Sequence, residues 1–299
     1  MFYGYIRKIN KRMRLVSFSV SPIDNHNKIK KVAECARICY ASENKGDDSK
    51  DFELVKRLQH DKHFSMFRHI TFYYIIPVKS INKECLFKFK NTPYVGYAKY
   101  KGNYYLACNG QFVLEHQNLI NQCIQPEWEV EKEKFQGNYI TEKLIRYTFK
   151  INTQISTTRE LNRVSPNNIA EQSTRYVDFN KKLGIQIATP HWFYGLTTCK
   201  RMLAKLMFKT TEWNYKLAKK VLGLKPQDAR EFLCLGTNSV VVYTYSLKEW
   251  RHILDLRYFG TTGIPHPNAY AVASAIKKIF KEHYDIDINE KGFESSRIK

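Results

Sequence analysis

Glu171-Gln172-Ser173-Thr174-Arg175-Tyr176 sets a carboxylate, two hydroxyls and a guanidinium in one short stretch. Such a set can hold a small anion. Arginine makes a two-pronged fork with phosphate, while serine and threonine add short neutral donors. Arg159, Glu160 and Arg163 stand just upstream. Two further polar segments lie far away in sequence: His63-Phe64-Ser65-Met66-Phe67-Arg68-His69, and Trp250 to Arg257 with Arg251, His252 and Asp255. Alone, the hexapeptide also reads as a helix-capping serine on a charged turn. The three segments in this order favour a nucleotide phosphate and its neighbours.

The elements that must position these residues follow from periodicity. Arg14–Val20, His69–Val78, Leu144–Ile151 and Val240–Tyr245 read as strands, and Ile145, Tyr147, Phe149 and Ile151 fall on one face. Lys28–Tyr40, Phe52–His60, Gly110–Cys123, Ser156–Arg163, Gln227–Leu235, Leu247–Tyr258 and Asn268–Tyr284 read as helices. Ser156 or Thr157 is the expected N-cap of the fourth. Pro190–Leu222 reads as a long helical stretch broken near Gly195, and Val164–Ala170, with Pro166, Asn167 and Asn168, as a loop. Leu86–Lys90 alternates like a strand, and Gln125–Gly137 reads as a polar, mobile stretch. These elements predict an α+β fold, mostly antiparallel sheet packed with helices. Residues 13–299 form one domain with an elaboration at about 80–143, after an extension at 1–12.

The chain has 299 residues, 43% hydrophobic and 14% aromatic, enough for a real core. It has no apolar run of membrane-spanning length and no secretory signal. The formal charge of +21 calls for phosphorylated or polyanionic partners, or reflects scattered solvated lysines. No recognition helix or zinc-finger spacing supports nucleic acid. The seven cysteines are odd in number and make no Cys-x-x-Cys pair, which fits reduced thiols in a cytoplasmic protein better than a disulfide framework. Cys35 and Cys39, one helical turn apart with no ligand set around them, read as helix packing, so no metal is expected. Neither Cys199 nor Cys234 has an adjacent histidine to make it a nucleophile.

These residues resemble the flavin-dependent thymidylate synthases, the ThyX family. Arg163 matches the first residue of the family's Arg-His-Arg, and Glu171, Ser173, Arg175 and Tyr176 match its closing Ser-x-Arg-Tyr stretch. Val164 and Ser165 stand where the family has His and Arg. Ala36–Tyr40 resembles the end of the family's first helix, and His63, Ser65, Arg68 and His69 its next flavin-contacting segment. Ala229–Leu233 resembles its Ala-Arg-x-x-Leu-Pro, with Cys234 in place of the proline. Ser246, Lys248, Trp250, His252 and Arg257 resemble its last binding helix, and His266-Pro267 the histidine that follows.

The resemblance implies methylation of dUMP to dTMP, with FAD as cofactor and methylenetetrahydrofolate and NADPH as co-substrates. It implies Arg257 and Ser173 as catalytic groups. Glu160, Arg163, Glu171, Gln172, Ser173, Thr174, Arg175, Arg230 and Arg257 would bind the nucleotide. Cys39, His63, Ser65, Arg68, Ser246, Lys248 and His252 would bind the flavin. Glu160 and Glu171 either orient ribose hydroxyls and arginines or form salt bridges within the helix. It further implies a homotetramer, in which the His63 segment and the Ser173–Arg175 loop meet from different chains. Two other readings remain open. One is a relative that uses dCMP or transfers another one-carbon unit; the other is a non-catalytic basic homologue that binds nucleotide or nucleic acid.

Overall fold

The structure, a computed structural model, describes residues 13–42, 46–179, 184–296 and 298. The expected extension at 1–12 lies outside the described residues.

Alternation drives the central sheet. Its order is Ser19–Pro22, Arg146–Gln154, Asn238–Ser246 and Ile169–Glu171, all antiparallel. Tyr147 pairs with Tyr245, Phe149 with Tyr243 and Ile151 with Val241, so one face becomes a continuous apolar surface. Helices Leu247–Arg257 and Pro267–Tyr284 cover it with Trp250, Ile253, Leu254, Val272, Ile276 and Phe280, all fully buried. The Trp250 indole N–H donates to the Tyr147 carbonyl at 3.0 Å, so burying the ring leaves no orphan donor. Ser246 begins the first of these helices through a reciprocal capping box with Glu249. The opposite face, with Val242 and Ala170, packs against Cys35 and Ile38 of helix Lys28–Cys39.

A second antiparallel sheet runs Val95–Tyr100, Asn103–Asn109, Thr71–Pro77 and Glu129–Val130. Its hairpin turns through Lys101 and Gly102, both at positive φ, the backbone that a two-residue turn needs to match strand twist. Helices Lys83–Lys90, Gly110–Glu115 and Gln117–Cys123 contribute to its core. The strand expected at Leu86–Lys90 is therefore a helix. Asn82 caps it by accepting from the Glu84 N–H at 2.8 Å. Leu86 and Phe89, three apart, are buried while Phe87 faces solvent.

Other expectations are corrected. Arg14–Val20 is two strands: Arg14–Val16 pairs in parallel with Gln186–Ala188, and Ser19–Pro22 joins the central sheet. Gln125–Gly137 is structured, with Trp128 and Phe135 in the core. The helix expected from Ser156 begins at Ile155, after Gln154, with no side-chain cap. Gln227–Leu235 shrinks to Pro226–Ala229 and a 3-10 turn, Arg230–Phe232. Asp287–Asn289 and Gly292–Glu294 add an unexpected hairpin. Cys85 and Cys123 form a disulfide, Cα atoms 5.8 Å apart, against the expectation of reduced thiols throughout. They are 38 residues apart, so local spacing carried no sign of the pairing. Cys35, Cys39, Cys108, Cys199 and Cys234 are free. Helix Thr198–Lys220 matches its expectation, and among the described residues no helix is long and apolar enough to cross a membrane.

Candidate active site

The hexapeptide folds as a tight turn leaving strand Ile169–Glu171. Ser173 anchors it: its N–H donates to the Cys39 carbonyl at 2.9 Å. Its hydroxyl accepts from the N–H groups of Arg175 and Tyr176 at 3.1 and 3.3 Å. The serine thus shapes the loop with its oxygen, and its own proton stays available to a ligand. Arg175 is thrown outward, its guanidinium 5.3 Å from the Tyr176 ring centre. Arg230 arrives from the short 3-10 turn and donates to the Thr174 hydroxyl at 3.4 Å. Neither arginine has a carboxylate partner among the described residues. Two exposed guanidiniums at one turn make a phosphate-ready pair.

Glu171 turns inward. Its Oε1 accepts from Thr158 at 3.1 Å and Ser239 at 2.8 Å, tying the turn to helix Ile155–Leu161 and to the central sheet. Gln172 is buried, its amide nitrogen without a hydrogen-bond partner among the described residues. The Glu171 carboxylate and the Gln172 N–H, which donates to the Val240 carbonyl at 2.8 Å, hold the loop's base, and the arginines form its mouth.

Tyr40 packs against Tyr176 with ring centres 5.8 Å apart. It also lines a cavity of about 680 Å³ with Ala36, Leu54, Leu58, Arg57 and His63. Tyr40, just past helix Lys28–Cys39, thus links the cavity that His63 lines to the Ser173–Tyr176 turn within one protomer. Cys39 does not offer a reactive thiol. Burial pushes it up to about 11, and its Sγ lies 3.9 Å from the Cys35 carbonyl.

The remaining residues fall into two other groups. Arg68 is bound to Gln111 and donates to the Asn167 carbonyl at 3.0 Å. Ser246 and exposed Lys248 line a cavity of about 280 Å³ with Tyr94, Tyr97, Asn109 and Asn168. The Ser246 hydroxyl is engaged with Glu249 in the capping box. In the third group Arg257 donates from Nε to the Glu160 carbonyl at 2.8 Å. Burial, then the neighbouring Arg163, lowers the Arg257 pKa, while Glu160 acts in the other direction. His266, which caps the last helix, lies 4.0 Å from the Glu160 carboxylate. His252 and Ser65 are exposed.

Arg146 was missed by the sequence reasoning. Between Ile145 and Tyr147 it points away from the apolar face, and nothing in its spacing marks it. One terminal nitrogen donates to the Ile70 carbonyl and Thr71 hydroxyl at 3.4 and 3.2 Å. The other donates to the Arg68 and Thr244 carbonyls at 2.9 and 3.0 Å. It joins the two sheets and holds the backbone behind Arg68.

His69 lies fully buried beside it, Nδ1 at 2.8 Å from the Thr244 hydroxyl. Burial, reinforced by the Arg146 charge, pushes the imidazole down to about 3. The unfolded chain takes up this proton near pH 6.5, whereas the folded chain resists until about pH 3. Stability should therefore fall as pH drops through that window, by at most ~1.4 kcal/mol per pH unit from this group. Urea midpoints at pH 7 and pH 5 check this: His69→Gln should lose less on acidification than the parent, and an equal loss would refute the assignment.

Among the described residues no group of three or more His, Cys, Asp or Glu is placed to hold a metal ion. In the antiparallel α+β frame, exposed Arg175 and Arg230 stand at a turn whose Tyr176 packs on the aromatic edge of the cavity. Residues 136–284 match the sequence model of the thymidylate synthase complementing protein family. A solved structure of the UMP/dUMP methylase PolB from Streptomyces cacaoi bound with 5-Br dUMP is similar at 17% identity and a TM-score of 0.43, over 90% of this chain and 92% of that one. The same protein bound with 5-Br UMP gives 16% identity and a TM-score of 0.42, over 91% and 92%. No curated protein matches the chain.

Proposed function

We propose that the chain is a flavin-dependent thymidylate synthase that methylates dUMP to dTMP. The observation that carries this reading is the Ser173–Tyr176 turn, which displays Arg175 and Arg230 together with no competing carboxylate among the described residues. A nucleotide phosphate carries nearly two negative charges and suits two such forks. Thr174 and the Ser173 hydroxyl add neutral contacts, and Tyr176 gives a ring face for the base. Arg257 supplies fixed positive charge for the uracil oxygen as the ring takes on electron density, because a guanidinium does not lose its proton at neutral pH.

The cavity beside His63 suits FAD: Ala36, Leu54, Leu58 and Tyr40 offer an apolar wall for a flat ring, and Arg57 offers charge for the diphosphate. His63 and Ser65 would hold it at one edge, with Lys248 and His252 as further exposed donors. Cys39, Arg68 and Ser246 are engaged within the chain and would support the walls. When bound, the flavin, reduced by NADPH, supplies the hydride, and methylenetetrahydrofolate supplies the carbon.

The reading includes assembly into a homotetramer. Helix Thr198–Lys220 supports it by exposing Met202, Leu206 and Trp213, each more than half accessible, where a lone surface helix would carry charges. A cytoplasmic setting also belongs to the reading; the Cys85–Cys123 bridge, of a kind that persists in oxidising compartments, weighs against it. Val164 and Ser165 favour a second reading, in which the nucleotide site is kept but the substrate is dCMP, the transferred unit differs, or catalysis is lost.

The visible spectrum of the purified protein, with and without added FAD, tests the flavin. Calorimetry with dUMP tests the turn, and Arg175→Ala and Arg230→Ala should each weaken binding roughly 10- to 100-fold. No flavin uptake together with dUMP affinity indifferent to both arginines would end the proposal.

A further inference from the structure

Between the two sheets, beside helix Lys28–Cys39, lies a third cavity, of about 110 Å³. Lys28, Lys31, Lys132, Arg146 and His26 line it, and only Asp24 and Glu131 oppose them. Lys28 is drawn aside to Glu129 at 3.0 Å and covers the Phe72 ring at 4.1 Å. Asp24 is occupied by His283 at 2.6 Å and by the Tyr284 hydroxyl. Lys132 rides over the rings of Tyr147 and Tyr284. Arg146 spends its terminal nitrogens on carbonyls and a hydroxyl, and no carboxylate bonds to it.

Lys31 is the informative residue. Its side chain makes no hydrogen bond or ion pair with any described residue, although the residue is half-buried; its ammonium is drawn down to about 8 by burial first, with Cys35 and Asp24 acting against the shift and Arg146 and Lys132 adding to it. A desolvated ammonium facing a guanidinium, with Asp24 already taken by His283 and Tyr284, is costly to keep. A small anion between them would remove that cost. The space holds a few waters or one tetrahedral oxyanion and is too small for a nucleoside. Hydroxyls of Thr71, Tyr73 and Thr148 line the same wall.

We infer that this cavity binds one free phosphate-class oxyanion, held chiefly by Lys31 with Arg146 behind it. Neither Arg175 nor Arg230 lines it, and the inference does not depend on the catalytic reading. Bound there, the anion would neutralise the cluster where strands Thr71–Pro77 and Arg146–Gln154 come together, and would stiffen the join between the sheets.

The test uses the full chain in chloride buffer at constant ionic strength, with inorganic phosphate as the probe. Calorimetry and thermal unfolding should show saturable binding and a rise of the unfolding midpoint. Lys31→Met should weaken phosphate at least tenfold, Lys31→Arg should retain most of it, and the Arg175→Ala/Arg230→Ala double variant should keep it intact. Without phosphate, Lys31→Met should unfold at a higher temperature than the parent, since it removes an uncompensated charge. Phosphate affinity unchanged in Lys31→Met, or lost in the arginine double variant, would overturn the assignment. A Lys31-dependent response to dUMP stronger than that to phosphate would overturn it in favour of a phosphate ester.

Discussion

Arg257→Ala should lower the turnover of uracil methylation by roughly 10²- to 10³-fold, the scale seen when one preorganised donor to a developing oxyanion is lost. The structure gives this residue the means to be preorganised. Its Nε is held by the Glu160 carbonyl, which fixes the plane of the fork and leaves the outer nitrogens directed by it. Arg257→Lys should recover little, because an ammonium cannot keep that hydrogen bond and point the same way. The loss should fall on kcat with the Michaelis constant for dUMP changed far less, since the proposed phosphate contacts belong to Arg175 and Arg230. Steady-state kinetics on the flavin-loaded protein reads this directly. A variant whose kcat stays within a few-fold of the parent would remove Arg257 from the chemistry.

Arg146→Met should destabilise the fold by roughly 3–5 kcal/mol. Methionine fills similar space, so the loss isolates the guanidinium and not a cavity. Without it the carbonyls of Arg68, Ile70 and Thr244 lose a charged donor in a half-buried place. The two sheets then lose the side chain that crosses between them. Chemical denaturation should show a lower midpoint with an unchanged slope, which assigns the effect to the folded state. A loss under about 1 kcal/mol would mean that water replaces the donor, as it does at exposed hydrogen bonds.

Much of the frame was legible because long periodic segments leave little choice. Ile145 to Ile151 alternates for a full strand, and its partners Val241, Tyr243 and Tyr245 alternate in register, so each makes the other's face apolar. Lys28–Cys39 and Leu247–Arg257 follow their periodicity closely, and the structure adds their caps, Asn27 and Ser246. Leu86–Lys90 was misread because five residues satisfy either period, and the Asn82 cap decides it. The paired arginines of the Ser173 turn were legible as types, and their approach was expected from the family resemblance. Glu171 was named, but its role in anchoring the loop rests on Thr158 and Ser239, which only the fold brings near. Arg146, Lys31 and the Cys85–Cys123 bridge were opaque for the same reason: each is defined by neighbours far away in the chain.

The crossing of Arg146 between the sheets has a mechanical consequence. It grips strand Thr71–Pro77 at the Thr71 end, while the Lys101–Gly102 hairpin lies beyond Pro77 at the other, roughly 20 Å away along the strand. Ile75 and Tyr105 still pack on the central core short of the tip, so only the turn itself projects beyond both attachments. Peptide grafted there would disturb neither, which makes that hairpin the natural place for a tag or a fluorescent label.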